Sequence, residues 1–157
     1  YVYDPFVNQE VIETNKCNKI DFADGLCLAD FISIHIPLNK ETKNLIAKEE
    51  LKQMKENCIL VNTARGGIIN ERDLTWALTN KKIYGAGLDV FETEPPLKDN
   101  ALFQLDNVLL TPHNAALTLE CRKRMAVETC ENIAYYLTNS DRLNKNNIIN
   151  KKLLKLI

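Results

Sequence analysis

Cys58-Ile59-Leu60-Val61-Asn62 is apolar up to its last residue. A strand with one wet face alternates apolar and polar side chains. An unbroken apolar run is instead the pattern of a strand buried on both faces, as in a parallel sheet. The flanking sequence agrees. Ala47–Lys55 reads as a helix leading into the strand. Thr63-Ala64-Arg65-Gly66-Gly67 follows as a loop, and Asn70–Asn80 reads as a helix whose acidic first turn, Glu71 and Asp73, suits the positive end of a helix dipole. Ile83–Val90 returns to the strand pattern. Farther out, Phe31–Ile36, closed by Pro37, and Val108–Thr111, closed by Pro112, are strand-like, and Tyr1–Tyr3 is a short extended stretch ended by Asp4-Pro5. The longest helical candidate is Leu117–Leu137, with Ala126, Cys130, Ile133, Ala134 and Leu137 on one face. Strand–helix–strand alternation predicts an α/β fold, a doubly wound parallel sheet with helices on both faces.

The 157 residues carry 20 Lys and Arg against 21 Asp and Glu, a formal net charge of −1. That balance provides no basic footprint for nucleic acid. No apolar run approaches the roughly 20 residues that a membrane-crossing helix requires. Neither nucleic acid nor membrane is therefore expected as a partner. Cys17, Cys27, Cys58, Cys121 and Cys130 are odd in number and irregular in spacing, with no CxxC pair. They predict covered free thiols in a reducing compartment, with neither a disulfide framework nor a metal site. The chain opens on a strand-like stretch without Met or a secretory signal, which reads as a segment whose start lies upstream. At the other end, Leu153-Leu154-Lys155-Leu156-Ile157 reads as a tail that docks elsewhere on the protein.

In a doubly wound sheet, ligands bind outside the carboxyl ends of the strands. The chemically capable residues stand at those ends: Asp4; His35-Ile36-Pro37; Thr63 to Gly67; Asp89 to Pro96; and Thr111-Pro112-His113-Asn114. Loops carry polar residues in any case, but five such clusters on one edge amount to a site.

Three blocks within these clusters identify a family resemblance. They are Val61-Asn62-Thr63-Ala64-Arg65-Gly66-Gly67, Gly87-Leu88-Asp89-Val90-Phe91-Glu92-Thr93-Glu94-Pro95-Pro96, and Leu110-Thr111-Pro112-His113. In sequence, order and spacing the chain resembles the NAD-binding domain of the D-isomer-specific 2-hydroxyacid dehydrogenases, the phosphoglycerate and glycerate/hydroxypyruvate dehydrogenases among them. The resemblance runs from Tyr1 to about Ile149.

The residue types suit the implied reaction. A guanidinium can fork onto the carboxylate of a 2-keto acid and polarise the neighbouring ketone, which lysine does less well. By resemblance Arg65 has this role; without the resemblance a surface salt bridge would account for it. Reduction also needs a proton donor to the developing alkoxide, and imidazole titrates near neutral pH. His113 suits the task, with Pro112 fixing the chain before it. A carboxylate beside the ring would favour its charged form, and by resemblance Glu94 is that partner, although 19 positions separate the two and the sequence alone shows no contact. Relatives that reduce or oxidise formate pair their histidine with glutamine, so Glu94 argues against that branch.

The remaining assignments concern the cofactor. Asp4, at the end of the second strand of a dinucleotide fold, would accept bonds from ribose hydroxyls and repel a 2′-phosphate. Pro5 and Phe6 follow it with no adjacent cation, so NAD is favoured over NADP. By resemblance His35 and Pro37 line the adenine side, Thr42 is a further cofactor-side position, Thr63, Ala64 and Arg65 approach the nicotinamide side, and Asp89 lies near the nicotinamide carboxamide with His113.

A Gly-rich phosphate loop should precede the acidic residue by about 20 positions. Asp4 stands too near the start for that, and Gly85-Ala86-Gly87 enters a strand instead of opening a helix. The architecture expected is a Rossmann-type doubly wound parallel sheet lacking its first strand and Gly-rich loop. Residues 1–140 would form a partial NAD-binding domain, and residues 141–157 a tail that packs on a substrate domain outside this sequence. The resemblance implies an NAD-dependent oxidoreductase acting on a D-2-hydroxy acid, a cytoplasmic homodimer when whole; the segment alone is expected to be inactive. Corepressor relatives that sense NAD(H) as protein-binding scaffolds keep the same three polar residues, so the scaffold alternative stays open on sequence.

Overall fold

The computed structural model describes residues 1–138, 141–144, 146 and 148–150. The apolar stretch 153–157 lies outside them. The chain divides into two compact units, residues 1–115 and 116–157.

The first unit holds four parallel strands, β1 (Phe31–Ile34), β2 (Ile59–Asn62), β3 (Gly85–Leu88) and β4 (Val108–Leu110), side by side in that order. The register sets Ile34, Asn62, Leu88 and Leu110 in one row across the sheet. α1 (Gln9–Thr14) and α2 (Phe22–Leu28) precede β1, while α3 (Lys48–Gln53), α4 (Glu71–Thr79) and a 3-10 turn (Ala101–Gln104) run between successive strands. Successive crossovers in one direction gather α2, α3 and α4 on a single face of this unit's sheet. Leu26, Leu51, Leu74 and Leu78 from the helices meet Ile34, Leu60, Ala86 and Leu88 from the strands in one core. Burying each such leucine contributes roughly 1.5–3 kcal/mol. The Rossmann-type parallel sheet of the sequence reading is therefore present.

Several boundaries differ from expectation, for physical reasons. The strands are shorter than their apolar runs: Ile83 and Val90 are buried but lie outside the β3 ladder, because burial and ladder hydrogen bonding are separate requirements. Tyr1–Tyr3 forms no full strand; Val2 makes an isolated parallel bridge with Lys19. Helices α1 and α2 have six and seven residues, too short to show a periodic apolar stripe and sustained by tertiary contact of Ile12 and Leu26. All five cysteines are free thiols, but Cys27 and Cys130 are exposed, not covered.

In α4, Asn70 caps the first turn by accepting from the Asp73 amide at 3.0 Å. The second unit contains α5 (Leu119–Leu137), whose cap Thr118 accepts from the Cys121 amide at 3.1 Å. No residue of α5 is buried within this chain.

Because every strand runs the same way, their carboxyl ends share one edge of the sheet. Residues 35–38, 63–67, 89–94 and 111–115 leave from that edge.

Candidate active site at the carboxyl edge of the sheet

The loop after β2 is held by the strand's last residue. Asn62 is 2% exposed; its amide oxygen accepts from Ala64 N–H at 3.0 Å, and its Nδ2 donates to the Arg65 carbonyl at 2.9 Å. Both halves of the buried amide are thus satisfied, and both serve the backbone that presents Arg65. The Arg65 guanidinium is exposed and donates to the Ala64 carbonyl at 2.6 Å. Among the described residues it makes no ion pair, so a surface salt bridge does not account for it. Gly66 admits the next loop: a Cβ there would lie 1.7 Å from the Phe91 carbonyl oxygen. Glycine is required by close backbone approach, and the Arg65 and Phe91–Glu94 loops consequently pack directly together.

His113 and Glu94 meet across the 19 intervening positions. His113 Nδ1 lies 2.8 Å from Glu94 Oε2. The other oxygen, Oε1, accepts from Phe91 N–H at 3.0 Å, so the carboxylate is aimed by its own loop. The bond to His113, and then that from Phe91, hold the Glu94 carboxyl below its ordinary value. With Nδ1 on the carboxylate, Nε2 is left to exchange a proton with a ligand. The ring and carboxylate border a cavity of about 400 Å³ whose other walls include Phe91, Phe103, Leu110 and Pro112.

His113 has a φ of 52°, the left-handed region that costs an ordinary residue roughly 1–2 kcal/mol. Asp89 supplies the compensation. It is 3% exposed, and its carboxylate accepts from the Thr111 hydroxyl at 2.5 Å, Asn114 N–H at 2.8 Å and Ala115 N–H at 2.9 Å. These bonds bracket His113 on both sides. Burial alone would raise the Asp89 carboxyl, but the Thr111 hydroxyl and the Ala115 and Asn114 amides bring it below its ordinary value. Asp89 therefore works inward on the loop, with both oxygens engaged.

A second cavity, about 630 Å³, opens between the ends of β1 and β2. His35, Pro37, Thr63, Ala64 and Arg65 all line it. Thr42 stands behind its wall, donating to the Pro37 carbonyl at 2.7 Å and accepting from Asn39 N–H at 2.8 Å. His35 Nε2 lies 2.8 Å from the Ser33 hydroxyl. Asp4 and Pro5 line neither cavity; Asp4 Oδ1 accepts from the Phe6 and Val7 amides at 2.8 and 3.2 Å. Among the described residues no cluster of three His, Cys, Asp or Glu side chains could hold a metal.

Asn62 and Thr111 gain site-building roles that the sequence reading did not assign. Asn62 carried a usable signal, since a polar residue closing a buried strand must find partners.

Comparison with known proteins places this geometry in context. A family model described as the D-isomer specific 2-hydroxyacid dehydrogenase NAD binding domain matches residues 1–115. The chain is 44% identical over 158 residues to a D-3-phosphoglycerate dehydrogenase of Methanocaldococcus jannaschii, covering 98% of this chain and 30% of that protein. It is 47% identical over 107 residues to a hydroxypyruvate reductase of Thermotoga maritima, covering 67% and 35%. Among solved structures, a D-isomer specific 2-hydroxyacid dehydrogenase of Lactobacillus delbrueckii ssp. bulgaricus, in NAD-complexed form, superposes with a TM-score of 0.78 at 30% identity, over 90% of this chain and 47% of that one. D-lactate dehydrogenase of Lactobacillus jensenii with NAD+ gives 0.80 at 31%, over 90% and 46%. The chain thus spans about a third of the length of these curated relatives.

Proposed function

The chain belongs to the D-isomer-specific 2-hydroxyacid dehydrogenase family, and from that premise we propose that the whole protein is an NAD-dependent oxidoreductase interconverting a D-2-hydroxy acid and its 2-keto acid. The observation that carries most weight is the His113–Glu94 pair, 2.8 Å apart on the carboxyl edge of the sheet.

The cavity lined by His35, Pro37, Thr63, Ala64 and Arg65 fits part of a dinucleotide. It is open, about 630 Å³ in volume, with apolar walls beside the polar His35, Thr63 and Arg65, and lies where doubly wound sheets bind nucleotides. Those residues would hold NAD, with Thr42 bracing the wall, Asp4 and Pro5 at the ribose, and Asp89 and His113 toward the nicotinamide. NAD, when bound, supplies the hydride acceptor at the nicotinamide. Arg65 would clamp the substrate carboxylate through its guanidinium and orient C2. In the direction of reduction, His113 would donate its Nε2 proton to the oxygen at C2; in the direction of oxidation it would take that proton back. Glu94 would hold the ring through Nδ1 and stabilise its charged form.

Residues 1–140 acting as the NAD-binding part, residues 141–157 packing on a substrate domain, and a cytoplasmic homodimer belong to the same proposal, carried over from the family resemblance. The test is oxidation of NADH by the full-length protein with pyruvate, hydroxypyruvate, glyoxylate, phosphohydroxypyruvate and branched 2-keto acids. Turnover is expected with at least one, and His113→Ala should lower it by a factor on the order of 10²–10⁴. Undiminished turnover in that variant would remove His113 from the reaction.

A further inference from the structure

Outside the two cavities, a pair of acidic residues makes an unusual exchange. The amide of Glu71 donates to Glu92 Oε1 at 2.8 Å, and the amide of Glu92 donates to Glu71 Oε1. The other oxygen of Glu71 accepts from Asn100 Nδ2 at 3.0 Å. Two like charges meet here because each is answered by the other's backbone donor. Glu71 is the first residue of α4, so the Glu92 carboxylate also satisfies one of the amides that a helix start leaves unpaired.

The consequence reaches the site through one peptide link and two hydrogen bonds. Glu92 follows Phe91, whose amide holds Glu94 Oε1 at 3.0 Å, and Glu94 Oε2 holds His113 Nδ1 at 2.8 Å. On its far side, the Phe91 carbonyl is pressed against Gly66. The loop is therefore gripped at Gly66 and at the start of α4, and Glu94 projects from between the grips.

We propose that Glu71, through its reciprocal bonds with Glu92, is a positioning residue that holds the Phe91–Glu94 loop in the one conformation from which Glu94 reaches His113. Its bearing on catalysis rests on His113 being the acid–base group; its effect on the Glu94–His113 bond does not.

The bond has a spectroscopic signature. A carboxylate accepting at Nδ1 selects the Nδ1–H tautomer of a neutral imidazole, where a free side chain favours Nε2–H. Nitrogen chemical shifts of His113 in the labelled 157-residue chain, at a pH where the ring is neutral, report the ratio. The Nδ1–H tautomer should dominate in the unsubstituted chain, and Glu94→Ala should abolish that dominance. Glu71→Ala should shift the ratio toward Nε2–H by about tenfold, equivalent to about 1.4 kcal/mol. Glu71→Gln, whose amide oxygen can still accept from Glu92 N–H, should restore it. A general loss of packing would not be rescued in this way. If Glu71→Ala fails to fold, as judged by the amide spectrum of β2 and β3, Asn100→Ala removes the bond to Oε2, together with the cap that Asn100 Oδ1 provides to Leu102 N–H, and should give a smaller shift in the same direction. An unchanged ratio in a folded Glu71→Ala or Asn100→Ala chain would overturn the positioning role. Turnover surviving His113→Ala in the full-length protein would instead remove the acid–base reading and leave the tautomer result standing.

Discussion

Replacing Asp89 with Asn should loosen the loop that carries His113 and destabilise the fold by about 2 kcal/mol. The magnitude follows from the bonds that its carboxylate makes. Asp89 is 3% exposed and accepts from Thr111, Asn114 and Ala115 at 2.5–2.9 Å. A hydrogen bond to a charged group contributes about 1.5–3 kcal/mol. Asparagine keeps one oxygen for two of the donors but turns an amide nitrogen toward the third, so one such bond is lost and two donors face each other. Removing the buried charge offsets part of the loss. The residue at stake is also the one with a φ of 52°, so a released loop relaxes His113 out of the left-handed region. Thermal unfolding should shift down by about 5–10 °C. Amide exchange at Asn114 and Ala115 should accelerate by about thirty-fold, the equivalent of 2 kcal/mol, while amides in β2 respond only through the global change. A folded Asp89→Asn chain with unchanged exchange at those two amides would refute the loop-holding role and release Asp89 for a cofactor contact.

Three further outcomes are expected. Asp89 and Glu94 both have carboxyls held below their ordinary values of 3.8 and 4.5; groups depressed in the folded state stabilise it above the unfolded value, and that stability is lost as pH falls through the folded one. Acid titration followed by circular dichroism should therefore show stability falling below about pH 4.5, and in His113→Ala the Glu94 carboxyl should return toward 4.5 in a carbon-detected NMR titration. Gly66→Ala would set a methyl group 1.7 Å from the Phe91 carbonyl oxygen, so the two loops must part; a loss of about 3 kcal/mol or more in denaturant unfolding is expected, and a neutral result would contradict the close approach. Asn62→Asp keeps the acceptor for Ala64 but loses the donor to the Arg65 carbonyl; it should cost about 2–4 kcal/mol by the same measurement, because a buried carboxylate would face a carbonyl oxygen.

Much of the site was legible in one dimension because parallel strands impose a rule. Each strand's carboxyl end faces the same edge, so Thr63–Gly67, Asp89–Pro96 and Thr111–His113 had to converge once β2, β3 and β4 were read as buried strands. Their apolar runs mark them as strands, although within this unit the helices cover one face of the sheet and Val61 and Leu109 on the other stay half-buried and exposed. Helices α1 and α2 left no such imprint, since fewer than two turns cannot display a period. The exposure of Cys27 and Cys130 was likewise hidden, because a cysteine carries no mark of which side of its helix meets the core.

By itself, then, the sequence determined the parallel α/β architecture, the edge at which chemistry gathers and the family to which its motifs belong. These follow from local residue patterns and their order along the chain. Only the tertiary structure decided that Glu94 meets His113, that both oxygens of Asp89 turn inward to hold a left-handed His113, that Gly66 is demanded by the Phe91 carbonyl, and that Glu71 and Glu92 trade bonds across 21 positions. Each of these is a contact between groups far apart in sequence. Such pairings depend on ångström-level placement after the core has packed, and no periodicity or spacing along the chain encodes a distance of that kind.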